Sequence, residues 1–367
     1  MKKYAAIILS AGYSSRMGEF KPLINLFGTT AVNRCVNLFE SCNIKEVYII
    51  TGYKSDEIQK NINNTAKTVY NVDFDKGMFS SIVTGVAALP SDIEAFFVLP
   101  VDTPSINKST IEKLIQSYER FKCSIVYPSF ADKKGHPPLI SIALKDEIIE
   151  NCSKDGLRGI LNIHKDSSVI VNVADRGVLL DMDTKEDYEN LCQHISKYPC
   201  PDYKECMEIL RLCNTNTDAI EHMKIVAGLA RSIAERLVKN GYELNINLLY
   251  SGALLHDVAK GMQDHELRGA EIARDYGYPC LYEIIKEHMN IKTELEIREK
   301  EIVYLADKLV KGTQCVTLDE RFRSGFEKYK NDYDIIKNIE YKYQTAKKLK
   351  EKIEYYAGIS IDEIRGN

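Results

Sequence analysis

The chain has 367 residues, room for two domains of ordinary size, and 44% of them are hydrophobic, enough for a core in each. A formal net charge of −4 with no long Lys/Arg block argues against a surface built to wrap a polyanion, so no nucleic-acid partner is expected. Ten cysteines contain no Cys-x-x-Cys pair, and no stretch approaches the roughly 18 apolar residues that span a bilayer, so the expectation is a reduced cytoplasmic protein with no membrane partner.

Taken in chain order, Ala5–Leu9 is a short apolar run that flows into a glycine turn with no cleavage site, and it reads as a first strand rather than a signal peptide. Similar runs follow at Val47–Thr51, Ala95–Leu99, Ser124–Tyr127 and Val169–Val173, separated by amphipathic stretches such as Thr30–Ser41 and Ser109–Arg120. Strands apolar on both faces, alternating with helices, predict an α/β domain with a doubly wound, mostly parallel sheet. Ligands of such sheets bind beyond the carboxyl ends of the strands. Pro199 and Pro201 mark a linker over 196–203, dividing the chain into domains 1–195 and 204–367. Beyond it, helical periodicity runs through Ala219–Lys239, Leu248–Ala259, Leu267–Tyr276, Leu281–Met289, Glu299–Val310 and Asp334–Tyr356, which predicts an all-α domain.

The first strand enters Ser10-Ala11-Gly12-Tyr13-Ser14-Ser15-Arg16-Met17-Gly18-Glu19-Phe20-Lys21. A small-residue loop after a strand exposes backbone N–H groups to a phosphate, and Arg16 and Lys21 add two cations. Composition alone leaves a phosphate site and an ordinary glycine turn equally open. The order Leu-x-Ala-Gly-x-Ser-x-Arg-Met-Gly-x-x-Lys, however, resembles the opening of the molybdenum-cofactor nucleotidyltransferases, the MobA and MocA types. The likeness continues in Gly77-Met78-Phe79-Ser80, Leu99-Pro100-Val101-Asp102-Thr103-Pro104, Gly135-His136-Pro137, Asp155-Gly156-Leu157-Arg158 and Asp181-Met182-Asp183-Thr184.

The resemblance implies transfer of a nucleotidyl group from an NTP to a phosphorylated small-molecule acceptor, with pyrophosphate release. Magnesium would be held by Asp102 and Asp183, since both reactants are anionic and hard oxygen ligands suit that ion. Ala11, Gly12, Ser14, Ser15, Arg16, Lys21, Ser80 and Asp102 would contact the nucleotide, with Arg16, Lys21 and Asp102 catalytic; His136 and Arg158 would face the acceptor. Asp-Thr-Pro leans towards the GTP-using type; the two residues between Gly18 and Lys21, the Gly-His-Pro element and the closing Asp-x-Asp-Thr lean towards the CTP-using type, so CTP is favoured. Ser10 and Val101 depart from the usual alanine and glycine. The acceptor implied is molybdenum-pterin cofactor, with a sugar phosphate, alcohol phosphate or phosphonate as alternatives. The same likeness implies transient contact with a molybdoenzyme.

The second half holds His222, His256, His265 and His288, with Asp257 next to His256 and a later Asp307. Imidazoles with carboxylates suit divalent transition metals. A lone histidine or His-Asp pair is weak evidence, but the ordered set, all expected on helices, resembles the HD superfamily of metal-dependent phosphohydrolases over 218–311. That likeness implies one metal on His222, His256, Asp257 and Asp307, and a second on His265, His288 and a bridging Asp257. Asp257 and Lys260 would be catalytic, with Lys260 and Arg268 neutralising a phosphate during hydrolysis. Gly277-Tyr278-Pro279 precedes His288 rather than following it, which does not support a cyclic-dinucleotide phosphodiesterase. The reading is therefore a bifunctional enzyme; the non-catalytic alternative is a cofactor-delivery protein with a nucleotide-sensing HD domain.

Overall fold

The computed structural model describes residues 3–14, 17–62, 65–150, 155–291 and 296–366, which form two compact units dividing between Tyr198 and Pro199. Ser15 and Arg16 lie outside the described residues. Among the described residues no helix is long and apolar enough to cross a membrane.

The first unit contains β1 (Tyr4–Ser10), β2 (Asn25–Leu26), β3 (Thr29–Thr30), α1 (Ala31–Ser41), β4 (Glu46–Thr51), α2 (Ser55–Asn61), β5 (Lys67–Tyr70), α3 (Met78–Ala87), β6 (Ala95–Pro100), α4 (Lys108–Phe121), β7 (Ile125–Phe130), β8 (Lys133–Lys134), β9 (Leu139–Ser141), α5 (Lys145–Glu150), α6 (Gly156–Ile163), β10 (Ser168–Asn172) and α7 (Lys185–Lys197). The sheet order is β10-β7-β9-β6-β1-β4-β5, with β8 paired to β7. β1 is central: Ile8 pairs with Ile49 of β4 on one side and Leu99 of β6 on the other, both parallel. β9 is the antiparallel exception between β6 and β7.

Period-two alternation sends side chains to opposite faces of the sheet. Ala6, Ile8, Phe97 and Leu99 pack with Val32, Val36 and Phe39 of α1 and Ile111 and Leu114 of α4. Ala5, Ile7, Phe96 and Val98 pack with Ile82 and Val86 of α3, Ile148 of α5 and Ile160 of α6. Burying each large side chain is worth about 1.5–3 kcal/mol, so the runs that read as strands must be interior and their ends must emerge along one edge.

The second unit holds α8 (Tyr203–Leu212), α9 (Thr217–Lys239), α10 (Ile246–Leu255), α11 (His265–Asp275), α12 (Tyr282–Glu287), α13 (Glu299–Lys308), the hairpin β11 (Val310–Lys311) and β12 (Gln314–Cys315), α14 (Leu318–Lys328), α15 (Tyr333–Ala357) and α16 (Ile361–Gly366). α9 is the spine: Met223, Val226, Ala230, Ile233 and Leu237 recur at helical spacing and are fully buried. α10, α13 and α15 pack around it.

The expected helix 248–259 stops at Leu255, so His256 and Asp257 stand in a turn, and His288 likewise lies just past α12. This corrects the expectation that the ligand set is wholly helical. A helix end leaves its last carbonyls without backbone partners. His256 Nδ1 takes Ala253 O at 2.8 Å, and His288 Nδ1 takes Ile285 O at 2.6 Å.

Candidate functional site

In the first unit, a cavity of about 370 Å³ opens at the carboxyl ends of β1 and β6, lined by Ala11, Gly12, Ser14, Lys21, Ser81 and Asp102. The chain around it is fixed locally. Val101 N–H donates to Leu9 O at 3.1 Å, tying the loop after β6 to β1. Ser14, in left-handed backbone at φ 57°, accepts the Lys21 N–H at 3.1 Å through its hydroxyl. Asp183 precedes Thr184, the N-cap of α7, whose start is set by a capping box between Thr184 and Asp187.

These elements bring Lys21 between two carboxylates. Its ammonium is 3.1 Å from Asp102 Oδ2 and 2.5 Å from Asp183 Oδ1. Burial alone would lower the Lys21 pKa, but Asp183 and Asp102 outweigh it and hold the value above the usual one. Asp181, absent from the expected ligands although it stands in the same Asp-x-Asp element, is pushed up by partial burial and by Asp102 and Asp183. Three neighbouring carboxylates supply the hard oxygens that a magnesium ion takes. Ser10 also lines this cavity, and its Oγ is buried without a hydrogen-bond partner among the described residues.

A second cavity of about 800 Å³ shares Leu9, Met78 and Pro100 with the first and carries His136 and Arg158. The His136–Pro137 bond is cis, and His136 N–H donates to Val178 O at 2.9 Å. A Cβ on Gly135 would meet Val178 O at 2.4 Å, so only glycine permits this approach. Ser80 behaves differently from its expected role. Its hydroxyl accepts from Asn71 Nδ2 and has Asp73 O and Gly77 O in reach of its single proton, each at 2.8 Å, while Ser81 lines the cavity.

In the second unit, the imidazoles converge on two carboxylates. Asp307 Oδ1 is 3.1 Å from His222 Nε2 and 3.6 Å from His256 Nε2. Asp257 Oδ1 is 3.5 Å from His265 Nε2 and 3.4 Å from His288 Nε2, and its Oδ2 is 3.8 Å from His256 Nε2. Two overlapping donor sets result, His222–His256–Asp257 and Asp257–His265–His288, with Asp257 common to both.

His222 Nδ1 is 2.8 Å from Gly312 O, so three rings turn Nδ1 to a backbone carbonyl and Nε2 to the centre. A carbonyl at Nδ1 is the usual outer support of a metal-binding histidine. The Nε2 atoms of His256 and His288 are buried with no hydrogen-bond partner among the described residues. That chemistry fits transition-metal ions.

Burial opposes ionisation of both aspartates, yet both are held below the usual carboxylate range. For Asp307, Lys308, His222 and His256 prevail; for Asp257, His288, His256 and Lys260 do. Lys308, which drew no attention in the sequence, is buried, 2.7 Å from Asp307 Oδ2, and donates to His288 O at 3.2 Å. Lys260 reaches Asp257 Oδ2 at 2.6 Å and lines a cavity together with His222, Asp257, His265 and Asp307. Arg268 instead pairs with Glu271 at 3.2 Å on an exposed part of α11.

Residues 6–169 match the family model of the MobA-like NTP transferase domain, and residues 219–312 match that of the HD domain. The chain carries a MobA-like NTP transferase domain followed by an HD domain. The NTP transferase domain is 25% identical over 191 residues to a molybdenum cofactor cytidylyltransferase of Escherichia coli, covering 51% of this chain and 95% of the relative. It is 33% identical over 116 residues to a Methanocaldococcus jannaschii protein named as a probable molybdenum cofactor guanylyltransferase, covering 31% and 56%. A solved nucleotidyl transferase from Methanothermobacter is 18% identical with a TM-score of 0.47, covering 54% of this chain and 99% of that one. The HD match ends at Gly312, so α14, α15 and α16 lie beyond it.

Proposed function

We propose that the NTP transferase domain moves a cytidylyl group from CTP to molybdenum-pterin cofactor with release of pyrophosphate, and that the HD domain hydrolyses a phosphate ester or anhydride. The observation that carries the first half is Lys21 lodged between Asp102 and Asp183 beside a small-residue loop at the sheet's carboxyl edge. A magnesium ion held by Asp102 and Asp183 would neutralise triphosphate charge.

The chain supplies the rest. N–H groups of the Ala11–Ser14 loop and the Lys21 ammonium hold the β- and γ-phosphates, while His136 and Arg158 orient the acceptor phosphate in the adjoining cavity. An acceptor phosphate oxygen bonds to the α-phosphorus as the α–β bridging bond breaks, and the electron pair leaves with pyrophosphate. CTP is favoured because the named cytidylyltransferase aligns over nearly its whole length, whereas the named guanylyltransferase aligns over about half.

For the HD domain, the supporting observation is the pair of orphaned Nε2 atoms aimed at shared carboxylates. The six residues His222, His256, Asp257, His265, His288 and Asp307 would hold one or two divalent transition metals, which would activate water and bind phosphate oxygen. Lys260 then meets the anionic substrate.

The deciding assay is pyrophosphate release with magnesium and molybdenum-pterin cofactor, comparing CTP, GTP, ATP and UTP. Release with CTP, lost in Asp102→Ala, is expected. Release with another NTP keeps the mechanism and changes the product. No release with any NTP removes the pterin as acceptor and makes sugar phosphates, alcohol phosphates and phosphonates the acceptors to assay.

A further inference from the structure

Arg321 lies outside the HD match, on α14, yet it lines the same cavity of about 620 Å³ as His222, Asp257, Lys260, His265 and Asp307. Among the described residues, its buried Nε has no hydrogen-bond partner and no carboxylate pairs with its guanidinium. A buried donor on a permanent cation is costly unless something accepts from it. The other cation of this cavity, Lys260, is already 2.6 Å from the ligand carboxylate of Asp257. Arg321 is therefore the cation left over.

Its placement is built, not accidental. The β11–β12 hairpin, whose turn supplies the Gly312 carbonyl to His222, carries the chain from α13 into α14. A capping box between Thr317 and Glu320 starts α14 there. Phe322 and Phe326 then clip α14 to Tyr343 of α15 at ring separations of 5.6 and 6.1 Å. One short connection thus orients His222 and brings the Arg321 guanidinium to the same cavity.

We propose that Arg321 binds a second phosphate of the HD substrate, so that the hydrolase acts on compounds carrying two phosphate groups, the scissile one at the metal ligands and Lys260, the other on Arg321. This rests on the hydrolase reading of the HD domain. A guanidinium presents a planar fork that matches phosphate oxygens two at a time. The two phosphates can be joined as an anhydride or carried at separate positions, and the substrates tested separate these.

The experiment compares full-length, metal-loaded wild type with Arg321→Gln and Arg321→Lys on p-nitrophenyl phosphate, a nucleoside 5′-diphosphate and a nucleoside 3′,5′-bisphosphate. Binding is read independently of turnover, from calorimetric titration with a nucleoside α,β-methylene diphosphate, where the difference between wild type and variant isolates the contribution of Arg321. Losing a charge-assisted hydrogen bond corresponds to a factor of about 10–100. Arg321→Gln is expected to lose that factor in kcat/KM on one or both two-phosphate substrates and in affinity for the methylene analogue. It should stay within about twofold of wild type on p-nitrophenyl phosphate, and Arg321→Lys should recover part of the loss.

Equal loss on all substrates makes Arg321 a structural residue and overturns the proposal, as does no loss on any. Hydrolysis of p-nitrophenyl phosphate with no Arg321-dependent preference refutes the two-phosphate reading and leaves the hydrolase standing. Failure of wild type to hydrolyse any of them removes both.

Discussion

Replacing Lys21 by methionine keeps the stem and removes the charge, leaving Asp102, Asp183 and the neighbouring Asp181 facing one another. A charge-assisted hydrogen bond at a buried site is worth about 1.5–3 kcal/mol. The side chains of Asp102 and Asp183 retain 24% and 40% exposure, so water recovers part of each lost interaction. The net destabilisation in EDTA is then about 2 kcal/mol, a fall of about 4–8 °C in melting temperature for a unit of this size. Millimolar magnesium should restore more stability to Lys21→Met than it adds to wild type, because in wild type the ion competes with an ammonium already seated on the same oxygens. The same variant should lose about 10–100-fold in affinity for CTP, since the cation that meets the triphosphate is gone. The assay is thermal unfolding of the full chain in EDTA and in magnesium, followed by nucleotide titration. Equal stabilisation of the two proteins by magnesium would refute the idea that these carboxylates form a cation site that Lys21 occupies in the absence of metal.

In the HD domain, an ion present at about a thousand times its dissociation constant adds about 4 kcal/mol. Chelation should therefore lower that domain's melting temperature by about 8–16 °C, and His256→Ala should abolish the difference; wild type that holds no metal by elemental analysis and ignores chelators would contradict the assignment. Asp175, 1% exposed, accepts from Asn107 N–H at 2.8 Å, Thr110 Oγ1 at 2.6 Å and Gly177 N–H at 3.0 Å, so Asp175→Ala orphans three donors. Chemical denaturation should show a loss of about 3–5 kcal/mol in the first unit, and a loss below about 1 kcal/mol would mean that the start of α4 is held by something else.

β1, β4 and β6 were legible because they are buried on both faces and their chain is almost wholly apolar, whereas β10, a half-exposed edge strand, was legible only through its Val-Ile-Val run. β5 was missed because Lys-Thr-Val-Tyr at the sheet edge is only half-covered and carries no continuous apolar run. β9 was missed because it has three residues and follows Pro137 and Pro138. Both escaped through the same physics, since an edge strand or a short one can hold its place through backbone pairing without advertising a hydrophobic pattern.

The site residues divide along a different line. Motif order led to Lys21, Asp102, Asp183 and the six HD residues, and the structure brings each set together. What motif order could not supply was the state of each polar atom. Ser80 and Ser81 are adjacent and chemically identical, and both accept from Asn71 Nδ2, yet only Ser80 also lies within reach of the Asp73 and Gly77 carbonyls and only Ser81 lines the cavity. His256 and His288 gain their aim only by stepping past a helix end and taking a carbonyl three residues back, a choice that helical periodicity hides because it predicts the helix continuing. Lys308 and Arg321 show the same limit from opposite sides. Lys308 contacts Asp307 and Arg321 lines the same cavity as Asp307, but Lys308 is pinned by Asp307 and the His288 carbonyl, whereas Arg321 has no partner among the described residues. A residue type states which bonds are available, and only the surrounding structure decides which remain unused. Among the described residues of the HD domain the unused capacity is the Nε2 atoms of His256 and His288, both beside Asp257, and the Nε of Arg321, which shares a cavity with that aspartate.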